Sequence, residues 1–390
     1  MTDRATVLIV GAGPAGLVLG NLLRDKGIDT LILERGSRAQ VQARARAGFL
    51  GANSARVLTE HGLGAGLARD GQFHDTCAFR SEDGQFELKY SALGRGEAHT
   101  VYPQQNLVTD LIAEYLDRGG RLRFDVTVTD VDPGTGTVGF RHQGGTGTAQ
   151  GQFLVGCDGS NGATRTAMPA ALVTRYARDH GVAWLALLAE APPSMPAVTY
   201  AIHDNGFAGH MARSAEVTRY YLQVPPDEDP EAWPDERIWA ELGVRMRTEA
   251  FGPLREGPVI DRRVVRLRSN VVDPMQHGRM FLAGDAASLI SPSAAKGANL
   301  ALMQAEVLGL ALTDALTRDD ERALHAYSRT CLPRIWRAQE FSHWMITLLH
   351  GPDAGDPDRD FERAVRRARL HSLRDSRAHQ DFFAENYVGI

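Results

Sequence analysis

Near the start of the chain, the apolar run Thr6 to Val10 enters the turn Gly11-Ala12-Gly13-Pro14-Ala15-Gly16. A helical stretch follows to about Lys26, and a second apolar run spans Thr30 to Leu33. That order and spacing match a dinucleotide-binding βαβ unit. Gly11 permits the sharp turn, Gly13 admits a pyrophosphate to the backbone, and Gly16 permits close packing of the helix. The unpaired amides at the helix start stabilise phosphate. Glu34 ends the second strand, where a carboxylate can accept hydrogen bonds from an adenosine ribose. A purely structural turn is the alternative, but the strand and helix context makes the pattern far more specific than glycines alone.

The length of 390 residues predicts two or three domains with a large core, and 43% hydrophobic content argues against a disordered or collagen-like chain. With 43 Lys plus Arg against 48 Asp plus Glu, the net charge is -5, so a generally basic, nucleic-acid-binding protein is not expected. Cys77, Cys157 and Cys331 are widely separated, which gives no metal-ligand cluster and no disulfide framework. A reducing cytosol is the economical reading, and no metal is expected. The polar start Met1-Thr2-Asp3-Arg4 is unlike a signal peptide. No uninterrupted apolar run reaches the roughly 18 residues of a membrane span, so a soluble cytoplasmic protein is expected, with surface association left open.

Three further segments carry chemistry. Arg44-Ala45-Arg46-Ala47-Gly48 can bring two guanidinium groups toward the dinucleotide while Gly48 permits tight backbone passage; solvation or an internal ion pair is the alternative for either arginine alone. The strand candidate Gln152 to Cys157 ends at Asp158-Gly159, where Asp158 can bind a cofactor hydroxyl or a water-mediated phosphate network, and Arg165 can contact an anion. Arg279 to Leu282 leads into Gly284-Asp285. Beyond it, Pro292-Ser293-Ala294-Ala295-Lys296-Gly297-Ala298-Asn299 opens an Ala/Leu-rich helix. Asp285 can orient ribityl hydroxyls, and amides at that helix start can stabilise electron density on an isoalloxazine ring.

Together with the segment Tyr200 to Tyr221 and the terminal Glu385-Asn386-Tyr387-Val388-Gly389, these motifs resemble the single-component group A flavoprotein aromatic hydroxylases, the 4-hydroxybenzoate 3-monooxygenases among them. The resemblance covers nearly the whole chain. It implies an α/β + β fold, with a three-layer Rossmann-like FAD-binding domain, an inserted mixed-sheet substrate domain and C-terminal helices. The implied division gives residues 1–80, 98–175 and 269–340 to the FAD-binding domain, and 81–97 with 176–268 to the substrate domain. Residues 341–390 form a helical segment completing the active site. The implied activity is hydroxylation of an aromatic acid through a flavin C4a-hydroperoxide, with bound FAD, NADPH or NADH as transient electron donor, and molecular oxygen as cosubstrate. A small aromatic acid is the expected partner, no nucleic acid or membrane is expected, and a homodimer is plausible.

Residue by residue, the resemblance places Arg213 opposite the substrate carboxylate and Tyr221 beside it. A bidentate charge-assisted contact there fixes orientation as well as charge. Tyr200 is implied to bond the substrate phenol, with Tyr387 as its partner, His74 at the distant end of a proton relay, and Pro292 near the phenol. Arg219 and Gln104 join the cofactor set of Gly11, Gly13, Gly16, Glu34, Arg44, Arg46, Asp158, Asp285, Lys296, Gly297, Ala298 and Asn299. Arg35, Arg44, Arg165 and Arg268 are implied at the nicotinamide-recognition surface, although Gly36, Gln40 and Asn161 depart from the NADPH-associated pattern. Met211 stands where the family supplies a substrate-contacting serine. Methionine lacks that hydroxyl and changes the pocket's volume and polarity. The expected substrate is 4-hydroxybenzoate, giving 3,4-dihydroxybenzoate, with an aminobenzoate, a dihydroxybenzoate or a more substituted acid as the alternative.

Overall fold

The computed structural model describes residues 2–44, 48–247, 252–352, 355 and 357–389. Val7, Leu8 and Ile9 have no exposed surface, as expected for a parallel strand covered on both faces. Their strand, Thr2–Val10, pairs in parallel with Thr30–Leu33 on one side and with Gly145–Gly156 on the other. Arg121–Arg123 extends the sheet beyond Thr30–Leu33, and Met280–Leu282 extends it beyond Gly145–Gly156. With Gln276–His277, Thr127–Asp132 and Thr137–His142 the sheet has eight strands. Helix Pro14–Asp25 packs between Gln104–Asp117 and Gly297–Arg318. This is the Rossmann-like domain that the glycine turn predicts. Gly11 sits at φ +107, and a Cβ there would lie 2.3 Å from the carbonyl oxygen of Cys157, so the turn and the end of the neighbouring strand exclude a side chain.

A second eight-stranded sheet runs in the order Ser288–Leu289, Val259–Asp273, Thr174–Ala189, Thr218–Val224, Ala208–Ala212, Val198–Ala201, Thr76–Ser81, Gly84–Lys89. It is mixed because Val198–Ala201 runs parallel to Thr76–Ser81 while the other pairs are antiparallel. Strand pairing moves the domain boundaries expected from the sequence. Thr76–Ser81 belongs to this second sheet, so the break expected at residue 81 falls ahead of Thr76. Val259–Asp273 continues past residue 268 and accepts Ser288–Leu289 from the segment assigned to the other domain. The partners of these strands are remote in sequence, so no local pattern marks the change. A three-stranded sheet joins Phe49–Leu50, His99–Val101 and Gln72–His74.

The C-terminal part is helical, as expected: Arg322–Leu349, Arg359–Asp375 and Arg377–Tyr387. Helix Gly297–Arg318 is long and apolar enough to cross a membrane by length and composition. Here it packs against Pro14–Asp25 and Arg322–Leu349, which accounts for its apolarity.

A buried lysine grips the C-terminal tail. Lys296 is 1% exposed, and its Nζ donates to the carbonyls of Tyr387 and Gly389 at 2.8 Å each. Burial pulls its ammonium from an ordinary 10.5 down to about 7, with Arg337 acting in the same direction and Glu97 opposing. A neutral amine still has a hydrogen for each carbonyl.

Two outcomes follow. Gly11→Ala is expected to lower stability by about 1–3 kcal/mol through backbone strain and the clash; an unchanged urea midpoint would show that the turn tolerates a side chain. For Lys296 the unfolded chain binds more protons than the folded one between about pH 7 and 10.5, so folding gains stability as pH rises through that window. The unfolding free energy of the wild type is therefore expected to increase relative to that of Lys296→Met across the window, and a pH-independent difference would mean the amine keeps its proton.

Candidate active site

Alternation along Thr218–Val224 sorts its side chains onto two faces. Tyr220, Leu222 and Val224 enter a core with Leu185, Leu187, Ile238 and Trp239, so Arg219 and Tyr221 point to the opposite face. Register brings other residues alongside. Met211 lies directly opposite Arg219, and Gly209 opposite Tyr221; on the next strand Tyr200 lies opposite Gly209. Met211 and Tyr221 pack against a cluster that contains Trp184, Tyr200, Phe341, Phe383 and Tyr387. The inserted sheet and the C-terminal helices thus meet on this face.

Tyr200 and Tyr387, 187 positions apart, share a hydrogen bond of 2.8 Å between their hydroxyls. Both are buried, and burial raises both phenol pKa values above their ordinary range. The pair is neutral at physiological pH, and one of its two hydroxyl hydrogens is left to donate outside the pair. Phe79 stacks on Tyr200 at 5.3 Å and Phe383 on Tyr387 at 4.8 Å, which fixes both rings. His74 is not hydrogen-bonded to Tyr387. Its Nδ1 lies 2.5 Å from the hydroxyl of Tyr90, and burial lowers its pKa to about 4.

Arg213 follows Ala208–Ala212, its amide donating to the Val217 carbonyl at 2.9 Å. Burial lowers the pKa of its guanidinium, the charge of Arg219 pushes the same way, and Tyr221 opposes. Arg219 is 4% exposed, and its Nε and Nη2 have no hydrogen-bond partner among the described residues. Two guanidinium groups that repel each other in a buried place suit anionic or electron-rich ligands. Pro292 opens a short turn and is exposed. Trp184, which the sequence reading missed, packs on Tyr221 at 4.9 Å and donates from Nε1 to His350 Nε2 at 2.7 Å. Its strand was legible, but its pairing with Tyr221 depends on register.

The residues expected to hold a dinucleotide flavin fit one. A Cβ on Gly13 would meet nothing within 4 Å, whereas one on Gly16 would lie 2.1 Å from the Gly11 carbonyl oxygen. Gly13 thus leaves its approach open, and Gly16 is required by packing. Helices Pro14–Asp25 and Gly297–Arg318 both begin without a side-chain cap, leaving their first amides for a ligand. The buried guanidinium of Arg219 is a second feature a flavin would satisfy. Glu34 is engaged by protein groups: Oε2 accepts the Ala12 amide at 2.8 Å, and Oε1 accepts the Gly36 amide at 2.9 Å and Arg44 at 3.2 Å. Its carboxylate braces the glycine turn and retains lone pairs for a ribose.

Other side chains are turned toward protein. Asp158 accepts the Thr164 amide at 3.1 Å and the Thr164 hydroxyl, capping helix Ala163–Ala167. Asn299 accepts the Gly51 amide and the Ser54 hydroxyl and donates to the carbonyls of Phe49 and Ala295. For Lys296 and Asn299, protein partners take up the side chains, so a ligand at this helix start meets backbone amides of Gly297 and Ala298. Gln104 is buried at the first position of its helix, and Asp285 is half-buried in the turn Gly284–Ala286. Arg46 lies outside the described residues.

Arg35 and Arg44 line an open cleft of about 760 Å³ together with Gly36, Gln40, Asp261 and Arg263. Arg165 and Arg268 do not line it. Arg165 donates to the side chain of Asn270, and Arg268 is exposed on the strand Val259–Asp273. Asp261 and Arg263 come from the inserted sheet and carried no sequence signal. Among the described residues no cluster of His, Cys, Asp and Glu is placed to hold a metal ion.

Comparison with known proteins agrees with this geometry. The FAD binding domain family matches residues 4–342. A p-hydroxybenzoate hydroxylase from Acinetobacter baylyi is 35% identical over 393 aligned positions, covering 100% of this chain and 96% of that protein. A 3-amino-4-hydroxybenzoate 2-monooxygenase from Streptomyces platensis is 30% identical, covering 90% of each. The crystal structure of p-nitrophenol 4-monooxygenase from Pseudomonas putida superimposes with a TM-score of 0.83 at 19% identity, covering 100% of this chain and 99% of that one. The βαβ turn, the inserted sheet with its buried arginine and tyrosine pair, and full-length similarity converge: this chain belongs to the group A flavin-dependent aromatic hydroxylases and is an FAD-dependent monooxygenase.

Proposed function

We propose that the chain hydroxylates an aromatic acid that carries a phenol para to its carboxylate and a further amino or hydroxyl group on the ring. NADPH or NADH supplies electrons, and molecular oxygen is the cosubstrate. The observation that carries this reading is the layout of one sheet face. Arg213 lies near enough to Arg219 and Tyr221 to feel their charges, the Tyr200–Tyr387 pair offers a hydroxyl, and Met211 lies on the strand between those of Tyr200 and Tyr221. Arg213 takes the carboxylate with paired donors and Tyr221 flanks it. Tyr200, with Pro292 close by, receives the phenol. Met211 donates no hydrogen bond and reads the ring edge by volume. The Streptomyces relative acts on a 3-amino-4-hydroxybenzoate, which favours a substituted ring. Unsubstituted 4-hydroxybenzoate is the second reading, supported by the Acinetobacter relative.

FAD would be held by Gly11, Gly13 and Gly16 at its pyrophosphate and by Glu34 and Arg44 at its adenosine end. Asp158, Asp285, Gln104, Arg219 and the amides of Gly297 and Ala298 complete the set. Bound there, it supplies the electron transfer and oxygen activation that no side chain provides. The chain's own task is to align the ring, exclude water and manage one proton. As the substrate phenol ionises, Tyr200 takes its proton while passing its own to Tyr387, and Tyr387 gives its own up to solvent, so that the pair stays neutral and donates to the phenolate, which makes the ortho carbon more nucleophilic. The cleft of Arg35, Arg44 and Arg263 receives the phosphates of the reductant, with Asp261 facing its sugar hydroxyls.

The test is oxidation of NADPH or NADH, with product mass under labelled oxygen, across aromatic acids with and without para-hydroxyl and amino groups. Selective oxygen incorporation into a substituted 4-hydroxybenzoate is expected; oxidation without incorporation across the series would sink the reading. Tyr200→Phe is expected to lower kcat about 100-fold or more with substrate affinity retained. Arg213→Gln is expected to raise KM for the acid about 30-fold. Met211→Ser should move preference toward unsubstituted 4-hydroxybenzoate, and an unchanged preference would remove Met211 as the discriminating residue.

A further inference from the structure

Along helix Arg359–Asp375, the residues Arg359, Arg363, Arg366, Leu370 and Leu373 follow one another at alternating steps of four and three. That spacing keeps all five on one face. Leu370 and Leu373 are buried in the cluster that contains Tyr200 and Phe207, so the stripe faces inward. An inward stripe is ordinarily apolar throughout, yet its first half is three arginines, and they line a cavity of about 170 Å³. The remaining walls are the turn from His203 to Gly206, which joins the strand of Tyr200 to that of Met211, with Gln223, Gly351 and Pro352. A Cβ on Gly351 would lie 2.8 Å from Arg366 Nη1, so the glycine leaves that guanidinium its place. Arg363 donates from Nη2 to both carboxylate oxygens of Asp204 at 2.7 Å. Arg359 and Arg366 have no hydrogen-bond or ion-pair partner among the described residues. Burial lowers the pKa of Arg366; Asp204 and Glu82 oppose that shift, and Arg363 adds to it. The helix starts without a side-chain cap, and the two acidic residues of its first turn, Asp360 and Glu362, are exposed.

We propose that this cavity binds a phosphate-like oxyanion, free or as the terminal group of a small phosphate ester, held by Arg359, Arg363 and Arg366 against the turn from His203 to Gly206. The lining sets three guanidinium groups against the one carboxylate of Asp204, and a dianion balances the charge left over. Arginine forks suit a tetrahedral oxyanion because each can donate paired hydrogen bonds. Among the described lining residues Pro352 is the one apolar side chain, so the ring of an aromatic acid finds little to pack on. No lining residue belongs to the substrate face or to the cleft of Arg35 and Arg44. The bound anion replaces repulsion among the arginines with hydrogen bonds and ties the helix to the inserted sheet, which stabilises the folded chain by mass action. Gln223 Oε1 accepts the amide of Phe207, the residue after that turn, at 3.0 Å. The Phe207 ring lies 5.0 Å from that of Trp184 and 6.3 Å from that of Tyr200, so the turn that the anion braces adjoins the aromatic wall of the substrate face.

The experiment is calorimetric titration of the FAD-loaded enzyme with inorganic phosphate and, in parallel, with glycerol 3-phosphate, at constant ionic strength set by chloride. Saturable binding is expected, and preference for the ester or for the free ion tells which source the site takes, either result supporting it. Arg366→Gln and Arg359→Gln are each expected to weaken binding about tenfold or more. Arg374→Gln, which removes the same charge from the far end of the helix, should keep the wild-type affinity. Phosphate should also raise the urea midpoint of the wild type by more than that of Arg366→Gln. The proposal is overturned by an absence of saturable binding, by equal weakening in Arg374→Gln, or by equal midpoint shifts in wild type and Arg366→Gln. Loss of binding in Arg35→Gln with wild-type affinity in Arg366→Gln overturns it as well, since the anion then sits in the reductant cleft. Flavin content identifies a misfolded variant, and the other cavity arginine then decides.

Discussion

The hydrogen bond between Tyr200 and Tyr387 joins two parts of the chain that are remote in sequence. Tyr200 comes from the inserted sheet and Tyr387 from the end of the last helix. Their hydroxyls meet in a place where an unpaired polar group costs about 1–3 kcal/mol. Packing and main-chain contacts hold both rings in place. Phe79 backs Tyr200 and Phe383 backs Tyr387, while Lys296 grips the main chain of Tyr387 and Gly389. One lysine at the start of a long helix therefore connects the Rossmann-like domain to the tyrosine pair. The same helix start leaves backbone amides for the flavin, so cofactor position and tyrosine position share one support.

Electrostatics divides the site into two ends of opposite character. At one end Arg213 and Arg219 lie close enough to act on each other's charge, a costly arrangement that an anionic substrate and an electron-rich cofactor would relieve. At the other end, buried tyrosines and histidines are all held in their neutral forms. Met211, in register with Arg219, adds no charge and no donor. Discrimination among substituted rings then rests on shape, which is the weaker kind of selectivity: a methylene-sized difference is worth only about 1–3 kcal/mol.

The glycine turn, its flanking strands and helix, and Glu34 were legible from local sequence, because a βαβ unit is built from short-range spacing. Arg213, Tyr221, Tyr200 and Tyr387 were legible through family resemblance, and the structure places Tyr200 against Tyr387 and Tyr221 on the face that holds Arg219. Pairing over long sequence separations was not legible. It moved the domain boundary ahead of Thr76, brought Trp184 beside Tyr221, and set Asp261 and Arg263 opposite Arg35 and Arg44. Nor did the sequence show that Asp158, Lys296 and Asn299 spend their side chains on protein partners. A motif specifies that such residues stand near a ligand but leaves open which atoms face it. The register His74↔His99 was likewise out of reach. The sequence alone determined the cofactor class and the chemistry. Tertiary structure decided which side chains line the pocket, because a strand's inward face is chosen by its neighbours.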